Sequence, residues 1–152
     1  MYKDALFRRI ESAWGELQDA LSGLSDEQMQ EPGAVGEWSV RDLMAHVTTW
    51  EEEALKALPV IIVGGKLPRY ASVGGIDAFN ARQQEAKRHL SLDRLRLEMD
   101  ATHQRLLGVL DRTAESVYAK EGRFLRRLRL DTYGHWRLHA ADVRRWRKSW
   151  GL

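Results

Sequence analysis

Three histidines carry the chemistry this sequence offers most directly. His135 and His139 stand four residues apart in DTYGHWRLHAADV, and His46 lies in GEWSVRDLMAHVTTWEE. Residues four apart on a helix share a face, so His135 and His139 can aim two imidazoles at one point. A third imidazole from another helix would complete a three-nitrogen site with open positions, the pattern of a reactive metal rather than a structural one. The sequence has no cysteine, so any metal must be held by His, Asp or Glu, and a cysteine nucleophile is excluded. The spacing alone also fits histidines that are satisfied core residues. His103 reads as such a core histidine because no ligand is paired with it nearby, and His89 reads as solvent-facing.

Helpers are sought around the same helix. Asp42 and Glu53 fall on the edge of the stripe that contains His46, so either carboxylate could orient an imidazole, and Glu53 could move protons as a catalytic residue. Asp42 is equally explained as a helix-capping acid. Trp50, Tyr133 and Trp136 are candidate pocket walls, against the alternative that they are core packing. Asn80 and Arg82 follow a long loop and are candidates for its entrance.

These residues need helices to position them. Leu6, Ile10, Trp14, Leu17 and Leu21 step by three and four residues, which predicts a helix over 3–22 ended by Gly23. Ser25-x-x-Gln28 has the form of a capping box over a short turn, and Glu31-Pro32-Gly33 with Gly36 marks a loop. Ser39-x-x-Asp42 predicts a second capping box, with Trp38 as a staple, opening a helix to about Leu58. On it Leu43, His46, Val47, Trp50 and Ala54 lie within an arc of roughly 100°, so His46 faces inward. Pro59, Gly64, Gly65, Pro68, Gly74 and Gly75 predict a long crossover over 59–75, followed by a short helical piece over 76–89. Ser91 caps a helix to about Arg112, with Leu92, Leu95, Met99, His103, Leu106 and Leu110 on one stripe. A connection through Glu121-Gly122 leads to a last helix over 131–149, capped by Asp131 or Thr132. There Trp136, His139, Ala140, Val143, Trp146 and Trp150 share a face, with His135 at its edge. The expectation is an all-α, up-and-down four-helix bundle, one domain over 1–152, with a long crossover between the second and third long helices.

With 43% hydrophobic and 30% charged residues in 152, the composition is that of a soluble globular protein with a real core. No run approaches the roughly 18 apolar residues of a membrane span, and the amphipathic, charged start lacks a secretory signal segment, so the expected setting is cytoplasmic without a membrane partner. The net charge of +2 is uneven: residues 1–75 carry 7 basic and 12 acidic groups, residues 76–152 carry 17 and 10. The arginines at 123, 126, 127, 129, 144, 145 and 147 could meet an anion, but solvated helix faces explain them as well. With no recognised nucleic-acid motif, no specific nucleic-acid partner is expected.

GEWSVRDLMAHVTTWEE resembles the second-helix motif of the DinB-like superfamily, and HWRLH resembles the His-x3-His of its last helix. Ile76-Asp77-Ala78-Phe79-Asn80 and Thr132-Tyr133-Gly134-His135 are similar to the ClbS/DfsB branch. The resemblance covers nearly the whole chain. It implies that His46, His135 and His139 bind a divalent metal, zinc or nickel, and that a homodimer forms through a helix face. It also implies a small-molecule substrate, with a hydrolase or a transferase using a low-molecular-weight thiol as the expected enzyme. Some members of the branch lack the histidines, so a non-catalytic small-molecule binding or immunity protein is the alternative.

Overall fold

The computed structural model describes residues 2–152. Helix α1 (Tyr2–Leu21) buries Leu6, Ile10, Ala13 and Leu17 on one stripe. The short α2 (Asp26–Gln30) opens with both reciprocal bonds of the Ser25/Gln28 capping box. A tight turn follows, in which the amides of Ala34 and Val35 donate to the Trp38 carbonyl. Helix α3 (Val40–Ile62) begins with the second box: Ser39 Oγ accepts from the Asp42 amide and Asp42 Oδ2 accepts from the Ser39 amide.

Helix α3 runs past Pro59, four residues beyond the predicted end at Leu58. The proline lies on the exposed side, and buried Ala57 and Leu58 hold the preceding turn in the core. The glycines end the helix instead. Gly64 takes a left-handed φ of 75°, its amide donates to Ile61, and the Gly65 amide donates back to Val60, the paired bonds of a Schellman stop. The crossover then contains a 3-10 turn (Tyr70–Val73) and α4 (Ile76–Lys87). Helix α4 is stitched onto α3: Gln84 Nε2 donates to the Asp42 carbonyl, and Lys87 Nζ donates to Thr49 and Glu52.

Helix α5 (Leu92–Arg112) starts on Ser91 and buries every residue of its predicted stripe. A short α6 (Glu115–Tyr118) and α7 (Arg123–Asp131) precede α8 (Tyr133–Ser149). Helix α7 is absent from the sequence reading, which placed a connection there and started the last helix at 131. Thr132, outside helical geometry at φ −128° and ψ −103°, separates α7 from α8. The bend presses the Arg129 carbonyl against Gly134, where a Cβ would stand 2.8 Å from that oxygen.

The long helices α1, α3, α5 and α8 form the all-α, up-and-down bundle; α1 packs on α8, α3 packs on α5, and α7 and α8 close against α3. No strand occurs among the described residues, and no helix there is long and apolar enough to cross a membrane.

Candidate metal centre

The fold carries His46 from the second turn of α3 to the first turns of α8. His46 and His139 are each 8% exposed, and His135 lies between them. His135 Nε2 is 3.0 Å from His46 Nε2 and 2.9 Å from His139 Nε2, and one ligand nitrogen from each ring lies within 4.8 Å of the other two. The rings meet at steep angles, 67° between His46 and His135 and 77° between His135 and His139, so their edges point at a common centre. Trp38 covers the His46 ring at 4.8 Å, and Trp50 stands 6.4 Å from the His135 ring.

Electrostatics keep the three rings neutral. Burial lowers the His46 pKa to about 4, helped by repulsion from His139 and Lys87. Burial, then His139 and His46, lowers that of His135 to about 2. His139 is also lowered by burial, but its hydrogen bond and attraction to Asp142 oppose the shift. Neutral imidazoles keep the lone pairs that metal binding requires.

The donor set fits a divalent cation. Asp142 Oδ2 accepts from His139 Nδ1 at 2.9 Å, which fixes that tautomer and leaves the Nε2 lone pair aimed at the centre. His135 Nδ1 is buried without a partner among the described residues. If His135 carries its proton on Nδ1, its Nε2 lone pair confronts its neighbours; if on Nε2, it can satisfy one neighbour and Nδ1 is a bare acceptor. A cation at the centre would take all three inward lone pairs, relieving a contact that protons alone leave frustrated.

Neither carboxylate considered from sequence touches an imidazole. Asp42 is committed to the α3 cap, and Glu53 accepts from Tyr70 Oη and Lys56 Nζ, both at 3.0 Å. The carboxylate behind a histidine is Asp142, three residues after His139. Trp50 is close to the cluster, its Nε1 donating to Asn80 Oδ1 at 3.0 Å, so Asn80 holds the indole. Tyr133 and Trp136 turn elsewhere: Trp136 is fully buried edge-on to Trp14 and His103, and Tyr133 lines a cavity among α1, α6 and α7. His103 is a core residue, stacked on Trp14 at 3.7 Å and hydrogen-bonded through Nδ1 to the buried Glu51 at 2.9 Å. His89 is exposed.

Residues 9–142 match the DinB superfamily. The chain belongs to that superfamily. The fold is similar to that of the colibactin self-resistance protein ClbS, solved in complex with a dsDNA (TM-score 0.79, 16% identity, covering 96% of this chain and 95% of that one). It is also similar to an uncharacterised protein from Escherichia coli UTI89 (0.76, 19%, 99% and 95%) and to the sibling lethal factor precursor DfsB (0.75, 17%, 97% and 95%). No curated protein matches the chain significantly in sequence. The ClbS complex overturns the expectation of no specific nucleic-acid partner. That expectation rested on the lack of a recognised motif, whereas a protein of this fold, ClbS, was solved with a dsDNA.

Proposed function

We propose that this protein is a metal-dependent enzyme acting on a small electrophilic molecule, with His46, His135 and His139 as ligands of zinc or nickel. The convergence of three neutral imidazoles, one braced by Asp142, carries the reading. Such an ion supplies Lewis acidity, which activates water for hydrolysis or a low-molecular-weight thiol for transfer. His139 is oriented by Asp142, and Trp38 and Trp50 shield the cluster from bulk water. Glu53 is assigned proton transfer, as a half-buried carboxylate that lines the neighbouring cavity and exchanges a hydrogen bond with the Tyr70 phenol. Metal content by plasma mass spectrometry tests the ligand set: about one zinc or nickel per chain is expected, lost in His46→Ala and His135→Ala. Turnover then separates an enzyme from a sequestering immunity protein, since an enzyme protects beyond one equivalent of the toxic molecule. A homodimer belongs to the same reading and is tested by light scattering.

A second reading, binding of dsDNA, is favoured by one surface. Arg9, Arg126, Arg129 and Arg137 line a cavity of about 380 Å³ among α1, α7 and α8, with Glu121 as its lining acid. Among the described residues Arg9, Arg126 and Arg129 have no acidic partner, and unpaired guanidiniums gathered in this way suit phosphate. The double reversal Arg126→Glu/Arg129→Glu should abolish duplex retention at low salt, and unchanged retention would dismiss this surface.

A further inference from the structure

Between α3, the crossover and α4 lies a cavity of about 410 Å³, within the size range of small-molecule sites. Its body is apolar, with Val60, Leu67 and Phe79 among its walls. Its charged groups are cationic except for Glu53. Lys56 is paired with Glu53 at 3.0 Å, which leaves Arg69, Arg82 and Arg127. Arg127 is held from behind: Nε donates to Asp131 at 2.5 Å and Nη2 to Tyr70 Oη at 2.6 Å, while Nη1 has no partner among the described residues. Arg82 donates Nη2 to the Val73 carbonyl at 2.7 Å. Among the described residues the Arg69 guanidinium has no hydrogen-bond or ion-pair partner. Asp131 cancels the charge of Arg127, but among the described residues no carboxylate pairs with Arg69 or Arg82.

One side chain separates the cavity from the histidine cluster. Trp50 lies 5.2 Å from Tyr70 and 5.4 Å from Phe79 on one side, and 6.4 Å from His135 on the other. The indole, fixed by Asn80, therefore stands between the cavity's Tyr70 and Phe79 and the His135 ring.

We propose that this cavity binds a small amphipathic anion, its apolar body against Val60, Leu67 and Phe79 and its anionic head toward Arg69, Arg82 and Arg127. An immobilised guanidinium with a free edge in an apolar wall is a site for a carboxylate-like group, which meets it by charge-assisted hydrogen bonds. The apolar walls supply the binding energy and the arginines supply the sign selection. This gives the substrate class for the enzyme reading above and depends on that reading for its role, although the binding itself needs no metal.

Titration calorimetry on the metal-stripped full chain, with hexanoate, octanoate and decanoate, tests the proposal. Affinity should rise about fourfold per added methylene until the cavity is filled, and octylammonium should bind at least tenfold more weakly than octanoate. Arg69→Glu, at a side chain with no structural bond, should weaken octanoate at least tenfold, and Val60→Trp should abolish binding by filling the cavity. Equal binding of octanoate and octylammonium would overturn the proposal, as would full octanoate affinity in both variants. His135→Ala separates the two readings: it should lose metal yet keep octanoate. Octanoate bound by a chain that takes up no metal would uphold the cavity and refute the metal centre, whereas metal bound without octanoate would refute the cavity alone.

Discussion

Asp142→Asn gives a quantitative test of how the candidate centre is built. In the structure Asp142 Oδ2 accepts the His139 Nδ1 proton at 2.9 Å, and its Oδ1 accepts from Arg145 at 3.1 Å. The carboxylate has two effects on the ligand: it holds the proton on Nδ1, and it makes Nε2 a better donor. An asparagine amide can present its NH2 group to Nδ1, which places the imidazole proton on Nε2, where the lone pair is needed. Loss of such a partner lowers metal affinity by roughly 10- to 100-fold, equivalent to about 1.4–2.7 kcal/mol. Proton competition does not account for this loss. Asp142 is what opposes the lowering of the His139 pKa, so its removal leaves the ring still more firmly neutral and, by that effect alone, would aid metal binding. Competition titration of zinc against a chromophoric chelator at pH 7.5 measures the change. Arg145→Ala is the control: its side chain is 74% exposed, and its loss should shift affinity less than threefold, in keeping with the small energy of surface ion pairs. If Asp142→Asn and Arg145→Ala bind zinc equally well, with wild-type affinity, Asp142 does not position His139 and the tautomer argument fails.

Three further outcomes follow from packing and burial. Gly134→Ala forces a Cβ to 2.8 Å from the Arg129 carbonyl; overpacking of this kind costs about 1–3 kcal/mol, read by urea denaturation, and should also weaken zinc binding because His135 is the next residue. His103→Leu strands Glu51, 1% exposed, and should destabilise by about 3–5 kcal/mol, whereas the double Glu51→Leu/His103→Leu should recover most of the loss; a double mutant no better than the single would refute the pairing. Asp131 has its pKa raised from 3.8 to about 6, chiefly by burial, which the Arg127 hydrogen bond and charge only partly offset. A carboxyl raised on folding contributes stability that is full below pH 3.8 and is lost as pH rises through about 6. Asp131→Asn should therefore flatten the stability profile between pH 4 and pH 7 by about 3 kcal/mol, seen in chemical denaturation across that range, and an unaltered slope would show that Asp131 ionises freely.

What could be read from sequence was local in the chain. Both capping boxes and the α5 stripe are written within a few residues each, and each is present as read. Helix α7 carries its buried residues Phe124, Leu128 and Asp131 at the i, i+4, i+7 spacing of one face, but it is only nine residues long and the last inward position is an acid, so its apolar stripe is short. The glycine pair, rather than the proline, ends α3 because an exposed proline removes one hydrogen bond, whereas a left-handed residue redirects the chain. Glu51 and His103 are 52 residues apart, and no local spacing encodes that bond. Trp136 stands four and seven residues before Ala140 and Val143, the spacing of one face, and all three are buried.

The carboxylates show most clearly where helical-wheel reasoning stops. Asp42 and Glu53 were considered because they share an angular sector with His46, but a wheel discards distance along the axis. Glu53 lies seven residues beyond His46, about 10 Å along α3 at the usual rise, which places it at Tyr70 and the crossover cavity instead of the imidazole. Asp42 is only one turn away, yet it sits where the first amides of α3 lack partners, and the Ser39 amide claims its oxygen. Asp142 satisfies both conditions, one turn from His139 and well inside α8, where no cap competes for it. The signal was therefore present as His-x-x-Asp, and it required an axial distance and a free carboxylate as well as a shared face. The same two conditions place Glu53 with the cavity chemistry: its oxygens are engaged by Tyr70 and Lys56, so a part in catalysis must run through the phenol and not through a histidine.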